Sequence, residues 1–313
     1  MVDLSIDCGG LRLANPVMPA AGTFGHELGQ AIPLSRLGAL VTKTITPGKR
    51  LGNPTPRVAE DASGMLNSIG IPSKGAEHFI AEAIPLYAAI GVPLVVSLSA
   101  DTVPGFADLC RAVSIPGIAA VEVNISCPNI EDDGRAFAMR PETTLRVMEA
   151  LRAATDLPLW AKLTPNTGEI REVARAAEDG GADALVVANT ILAMSVDLAS
   201  RRPTLGNVMG GLSGPAVKPI ILRMAYQCVR SVDIPVIGCG GIATADDALE
   251  YMLVGCPAVQ VGTATFLHPG AMLDVIDGIE RYCEAHGVLS VGEIVGGLRE
   301  PVISDGAAWE AST

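Results

Sequence analysis

The chain is poor in aromatic residues, poor in lysine, and without any apolar run long enough to cross a membrane. Aromatics make up 4% of 313 positions while 49% are hydrophobic, which leaves Ala, Val, Ile and Leu to build the core, as buried parallel sheets prefer. Lys43, Lys49, Lys74, Lys162 and Lys218 are the only lysines, and the net charge is −12. That balance, with no basic run interleaved with aromatics, excludes a nucleic-acid surface and an anionic membrane as partners. No segment reaches the roughly 18 to 20 apolar residues of a membrane span. Met1 to Asp7 lacks a basic stretch followed by an apolar one, so no secretory leader is read there and a cytoplasmic location is expected. The seven cysteines are scattered and odd in number, which argues against a disulfide framework, and no close pair suggests a metal site. No Gly-x-Gly-x-x-Gly follows the first strand to mark a dinucleotide fold.

What the chain does have is a regular alternation. Strand-like apolar runs occur at Pro16–Gly22, Ala39–Thr46, Pro93–Ala100, Ala119–Ser126, Pro158–Thr164, Ala184–Thr190, Pro235–Gly240 and Ala258–Thr263. Helix-like segments intervene, among them Pro141–Thr155, Gly168–Gly180, Pro215–Ser231, Ala245–Gly255 and Gly270–His286. Prolines stand near helix starts, and Gly180 and Gly255 stand where C-terminal caps belong. Eight βα repeats predict an α/β fold, a (β/α)8 TIM barrel, with residues 1–313 as one domain. Leu4–Asp7 and Leu11–Ala14, around Cys8-Gly9-Gly10, predict a small N-terminal β-hairpin closing the barrel bottom. The connections 47–75 and 191–214 are long, as loops on the C-terminal face of a barrel are when they build an active site.

Polar residues collect where those strands end. Lys43 and Lys162 sit in apolar surroundings, where an unpaired charge costs several kcal/mol; neither solvation nor charge explains them, so function is the leading account. Asn124-Ile125-Ser126-Cys127-Pro128-Asn129 places a thiol between two amides at the end of the fourth strand. Such a thiol can move a proton on an amide-like substrate, although most free cysteines simply pack. Gly240-Gly241 and Gly262-Thr263 follow strands seven and eight, where backbone N–H groups of many barrels hold a phosphate. The bland reading of those glycines is two tight turns.

Together these motifs resemble the class 1, cytosolic, FMN-containing dihydroorotate dehydrogenases. The resemblance runs from Asn15-Pro16 to about His268 and rests on Asn53–Arg57, Gly64–Gly70, the Asn124–Asn129 stretch, Lys162–Asn166, Gly211–Pro215 and the two glycine turns. It implies Cys127 as the general base that takes the C5 proton of dihydroorotate while C6 gives a hydride to FMN. It implies Lys43, Asn67, Ser68, Ile69, Gly70, Ile71, Asn124, Asn189 and Thr190 as substrate contacts; amides suit a pyrimidine edge because they offer both donor and acceptor. It implies Ala21, Lys43, Thr44, Asn124, Lys162, Ala188, Gly214, Gly240, Gly241, Gly262 and Thr263 as FMN contacts, with Lys162 near the flavin's N1 and O2. Ala21 stands where many relatives have serine, so a contact there must come from the backbone. By position, 130–135 corresponds to a mobile lid.

Within that class the chain looks most like the NAD-linked 1B catalytic subunit, which implies a partner bearing FAD and a [2Fe–2S] cluster in a heterotetramer, and a homodimer of this chain. The alternatives are a fumarate-reducing 1A homodimer, an aldolase-type barrel with Lys162 as Schiff-base lysine, or a non-enzymatic flavin- or pyrimidine-binding barrel.

Overall fold

The structure, a computed structural model, describes residues 2–126 and 137–301. Two short strands, β1 (Ile6–Cys8) and β2 (Leu11–Leu13), pair antiparallel around the Gly9-Gly10 turn. The barrel begins with β3 (Val17–Pro19) and β4 (Leu40–Val41). The excursion after β4 carries β5 (Val58–Asp61) and β6 (Gly64–Asn67), and the barrel resumes with β7 (Leu94–Leu98), β8 (Ala120–Asn124), β9 (Leu159–Lys162) and β10 (Ala184–Val187). A second excursion holds β11 (Ile191–Ala193), β12 (Val196–Asp197), β13 (Arg202–Pro203) and β14 (Gly210–Ser213), before β15 (Val236–Gly238) and β16 (Ala258–Val261) complete the set. Eight parallel strands run in the order β3-β16-β15-β10-β9-β8-β7-β4. The Gly38 N–H donates to the Val17 carbonyl at 2.9 Å and draws the two end strands together. The eight-strand barrel and the hairpin therefore match the pattern in the sequence.

Helices α1 (Ala76–His78) and α2 (Ile84–Ala88), joined by a π-helical turn, cover the first repeats with α3 (Val103–Val113). The outer layer continues with α4 (Pro141–Arg152), α5 (Ile170–Asp179), α6 (Lys218–Val229), α7 (Ala245–Leu253), α8 (Ala264–Leu267) and α9 (Ala271–His286). Their faces follow the helical period: α5 buries Ile170, Val173, Ala174 and Ala177, the i, i+3, i+4, i+7 spacing of one stripe. After α5 the left-handed residue is Gly181, at φ 94°, rather than Gly180.

Strand alternation divides the core in two. Val121, Val123, Ala161, Leu185 and Val259 face the helices, whereas Ala120, Trp160, Ala184 and Ala258 face the barrel axis with Cys8 and Leu13 of the hairpin. The hairpin plugs the bottom: Trp160 Nε1–H donates to the Gly9 carbonyl at 2.8 Å. Gly9 must lack a side chain, because a Cβ there would collide with the Trp160 indole. No described helix is long and apolar enough to cross a membrane.

The two long connections are more than loops. β5, β6, β11 and β14 form a four-stranded antiparallel sheet in the order β11-β14-β6-β5, with Asn67 paired to Gly211 and Met65 to Ser213. This sheet roofs one side of the barrel mouth.

Candidate active site

The same alternation that puts Trp160 inside puts Lys162 inside, two residues further up β9. In β8 it turns Glu122 inward above Ala120, and in β16 it turns Gln260 inward above Ala258. All three are buried, Glu122 at 0% exposure and Lys162 at 5%. Lys162 Nζ donates to Gln260 Oε1 at 2.9 Å and stands 3.6 Å from Glu122 Oε1. Gln260 Nε2 donates to Glu122 Oε2 at 2.6 Å. Glu122 Oε1 has no hydrogen-bond partner among the described residues. The anion that Lys162 requires is therefore present, contrary to the expectation that no charge explains it. Burial disfavours the ammonium, but the facing Cys239 and Glu122 outweigh it and hold the Lys162 pKa above the ordinary lysine value. Glu122 and Gln260 escape a search confined to strand ends; an acid inside Ala-Val-Glu-Val, in step with the inward lysine, is the signal that marks them.

Above this layer opens a cavity of about 1010 Å³ at the C-terminal ends of the strands, at the upper end of the range for small-molecule sites. Its floor and walls take Ala21, Thr44, Asn124, Lys162, Ala188, Asn189 and Thr190 from the barrel strand ends, with Lys43. The roof contributes Asn67, Ser68, Ile69, Gly70, Ile71 and Gly214; Gly240, Gly241, Gly262 and Thr263 form one corner. Every described residue named from the sequence as a substrate or FMN contact thus lines one space. Cys127 and the 130–135 segment lie outside the described residues.

Lys43 belongs to no strand, since β4 ends at Val41. It is half-buried and has no ion-pair partner among the described residues; burial, then the Arg57 charge, lower its pKa. A half-buried cation without a counter-ion, at the wall of a cavity, suits an anionic ligand group. Asn67 Nδ2 donates to the Gly211 carbonyl at 3.2 Å, tying the two halves of the roof. Ser68 Oγ accepts from Asn53 at 2.9 Å and from Asn207 at 2.8 Å, so it fastens the roof rather than capping a local turn. Cys239 faces Lys162 and reaches the cavity; burial pushes its thiol up, and the Lys162 charge reverses this only in part.

The glycine corner has the chemistry of a phosphate cradle. No described acceptor takes the N–H of Gly240, Gly241 or Thr263, and free backbone donors of this kind are what a phosphate needs. Gly241 adopts φ 71°, and a Cβ on it would approach the Lys218 backbone N at 2.8 Å and the Gly214 carbonyl at 2.9 Å. Behind the turn, Asp247 accepts from the N–H groups of Ala243 and Thr244 at 3.0 and 2.9 Å, and from Lys218 Nζ at 2.7 Å. Together with the size of the cavity, these donors fit a phosphorylated cofactor lying beside a smaller polar ligand. No group of His, Cys, Asp and Glu suited to a metal occurs among the described residues.

The sequence profile of dihydroorotate dehydrogenase matches residues 3–283. This chain is a member of the dihydroorotate dehydrogenase family. Among its relatives is the protein of Pelobacter propionicus named the catalytic subunit of dihydroorotate dehydrogenase B (NAD+), 47% identical over 95% of this chain and 98% of its own length. Proteins of the same name from Geotalea uraniireducens and a Thermoanaerobacter species are 45% and 43% identical, over 95% of this chain and 98% and 99% of theirs. Within this dihydroorotate dehydrogenase family the resemblance is thus to the NAD-linked type throughout.

Proposed function

We propose that this protein oxidises dihydroorotate to orotate for pyrimidine nucleotide synthesis, as the FMN-bearing catalytic subunit of an NAD-linked enzyme. The observation that supports this best is the convergence of Lys43, Asn67, Asn124, Lys162, Asn189 and the glycine corner on one cavity.

FMN would be held with its phosphate on the backbone of Gly240, Gly241, Gly262 and Thr263, and Lys162, Ala21, Thr44, Ala188 and Gly214 would contact the rest of it. When bound it supplies the acceptor for the hydride leaving C6. The chain's own residues do the rest. Asn67, Asn124, Asn189 and Thr190 hold the alternating carbonyls and N–H groups of the ring, and Lys43 offers its charge to the carboxylate. Cys127 removes the C5 proton, so that the electrons of that bond become the new C5–C6 double bond as the hydride departs. A free thiol titrates near ~8.5, so a modest depression makes it a useful base at neutral pH. Lys162, held protonated, places positive charge where electron density grows, an electrostatic contribution of the kind that preorganised sites make.

Electrons then pass to NAD through a second subunit carrying FAD and a [2Fe–2S] cluster, with two copies of each subunit in a heterotetramer. The roof excursion exposes Leu192, Met194, Val196, Leu198, Val208 and Met209, Leu198 at 88%. A cluster of this kind supports coverage by another protein chain. The aldolase reading is weaker, because an ammonium paired with Glu122 is not the free amine that Schiff-base formation requires.

The test is direct. Purified protein should be yellow and should bleach anaerobically on adding dihydroorotate; colourless protein overturns the reading. Cys127→Ser should keep FMN and slow its reduction by orders of magnitude near neutral pH, whereas unchanged kinetics remove Cys127 as the base. NAD reduction should need an added iron–sulfur flavoprotein, and fumarate turnover by the isolated chain would sink the NAD-linked assignment.

A further inference from the structure

Two of the cavity amides are joined by a hydroxyl that the proposed contacts leave without a role. Asn189 Nδ2 donates to Ser126 Oγ, and Ser126 Oγ–H donates to Asn124 Oδ1. The first link of this chain is fixed by one backbone group. The Thr190 N–H, which can only donate, gives its hydrogen to Asn189 Oδ1 at 2.8 Å. Asn189 must then turn Nδ2 toward Ser126. The serine hydroxyl accepts that hydrogen, and its own single hydrogen goes to Asn124 Oδ1. Asn124 is 7% exposed, and its oxygen is committed to the serine; what it keeps for a ligand is its NH2.

Across the roof the opposite choice is fixed in the same way. The Gly211 carbonyl, which can only accept, takes Asn67 Nδ2 at 3.2 Å, leaving Asn67 Oδ1 for a ligand. The cavity wall thus carries a preset donor at Asn124 and a preset acceptor at Asn67.

We propose that Ser126 is a positioning residue that fixes the amide of Asn124 donor-outward, and so selects a ligand with a carbonyl or carboxylate oxygen at that point. Asn67 completes the selection by accepting from a ring N–H, the pattern of a cyclic amide. The proposal rests on the reading of this cavity as the dihydroorotate site. Without the hydroxyl, the Asn124 amide loses its only described partner and can turn either way. Ligand binding must then supply the ordering that the serine now provides.

The experiment uses FMN-loaded protein and measures the orotate dissociation constant from the perturbation of the flavin absorbance spectrum. Ser126→Ala should weaken orotate about tenfold, the size expected for one ordering hydrogen bond, with KM for dihydroorotate rising in step. Bound-FMN content and thermal transition should stay at the wild-type level. Ser126→Thr, which keeps the hydroxyl, should restore affinity to within about threefold. Wild-type affinity in Ser126→Ala overturns the proposal, as does equal weakening in both variants. If wild-type protein neither binds orotate nor is reduced by dihydroorotate, the reading of the cavity falls and the proposal with it; normal wild-type binding with an indifferent Ser126→Ala removes the proposal alone.

Discussion

Lys162 Nζ stands 3.6 Å from Glu122 Oε1, with both side chains almost wholly withdrawn from solvent. An ion pair in such a place is costly to break from one side, because the surviving charge keeps its desolvation penalty and loses its compensation. Glu122→Gln should therefore destabilise the protein by about 3 to 5 kcal/mol, measured by urea unfolding at neutral pH. In that variant only Cys239 still opposes the burial of Lys162, and its folded-state pKa should drop below the unfolded value. Stability should then recover as pH rises through the depressed value, a trend that wild type should lack. A Glu122→Leu, Lys162→Met double variant should regain most of the loss while forfeiting tight flavin binding.

Lys43 gives a second pH signature, of opposite use. Its pKa is lowered by burial and by Arg57, so the folded protein gives up this proton before the unfolded chain does. Without ligand, stability should increase as pH climbs from the depressed value toward the ordinary lysine value. Affinity for an anionic ligand should move the other way, full below the depressed pKa and falling above it. Orotate titrations from neutral to alkaline pH should show this fall, and Lys43→Gln should bind weakly with a flat profile.

Asp247 links a helix cap to the phosphate corner. It forms the capping box of α7 with Thr244 and holds Lys218 at 2.7 Å. Burial raises its pKa, and Lys218 with the Ala243 and Thr244 donors more than reverses this, leaving it below the ordinary carboxylate value. Its contribution is thus present above that ordinary value and lost as pH falls through the depressed one. Asp247→Ala should cost about 1 to 2 kcal/mol, as lost caps do, and should release FMN more readily because the Gly240–Ala243 turn loses its anchor. Flavin fluorescence appearing in the filtrate checks the second part.

At the far end of the barrel, Trp160→Phe should leave the Gly9 carbonyl buried without its donor, at a cost of about 1 to 3 kcal/mol. Thermal unfolding should shift accordingly, with flavin content unchanged. A loss of flavin would mean that the hairpin plug and the mouth are coupled.

The barrel was legible in the sequence because each strand is a compact apolar run closed by a turn signal, and the end residues Asn124, Asn189 and Gly240-Gly241 stand out against that background. The roof was not, because β5, β6, β11 and β14 are short and partly exposed, and β6 pairs with β14 about 145 positions along the chain; no local period announces such a partnership. Glu122 is hidden in the sequence for a different reason. Its meaning depends on Lys162 in the neighbouring strand and on Gln260 across the barrel, so it reads as an oddity until register places the three at one level. Ser126 likewise gains its role only from the direction of a hydrogen-bond chain that begins at the backbone of Thr190.

The roof sheet also sets a timetable for synthesis. Asn67 lies in β6, but its pairing partner Gly211 is translated 144 residues later. A chain emerging from the ribosome completes six barrel strands before β14 arrives, while β5 and β6 wait as a lone hairpin, a unit of marginal stability in water. The ligand chamber is accordingly one of the last parts of the molecule to exist, and nascent chains that stop short of Ser213 would display the inner face of Leu66 to whatever chaperone attends them.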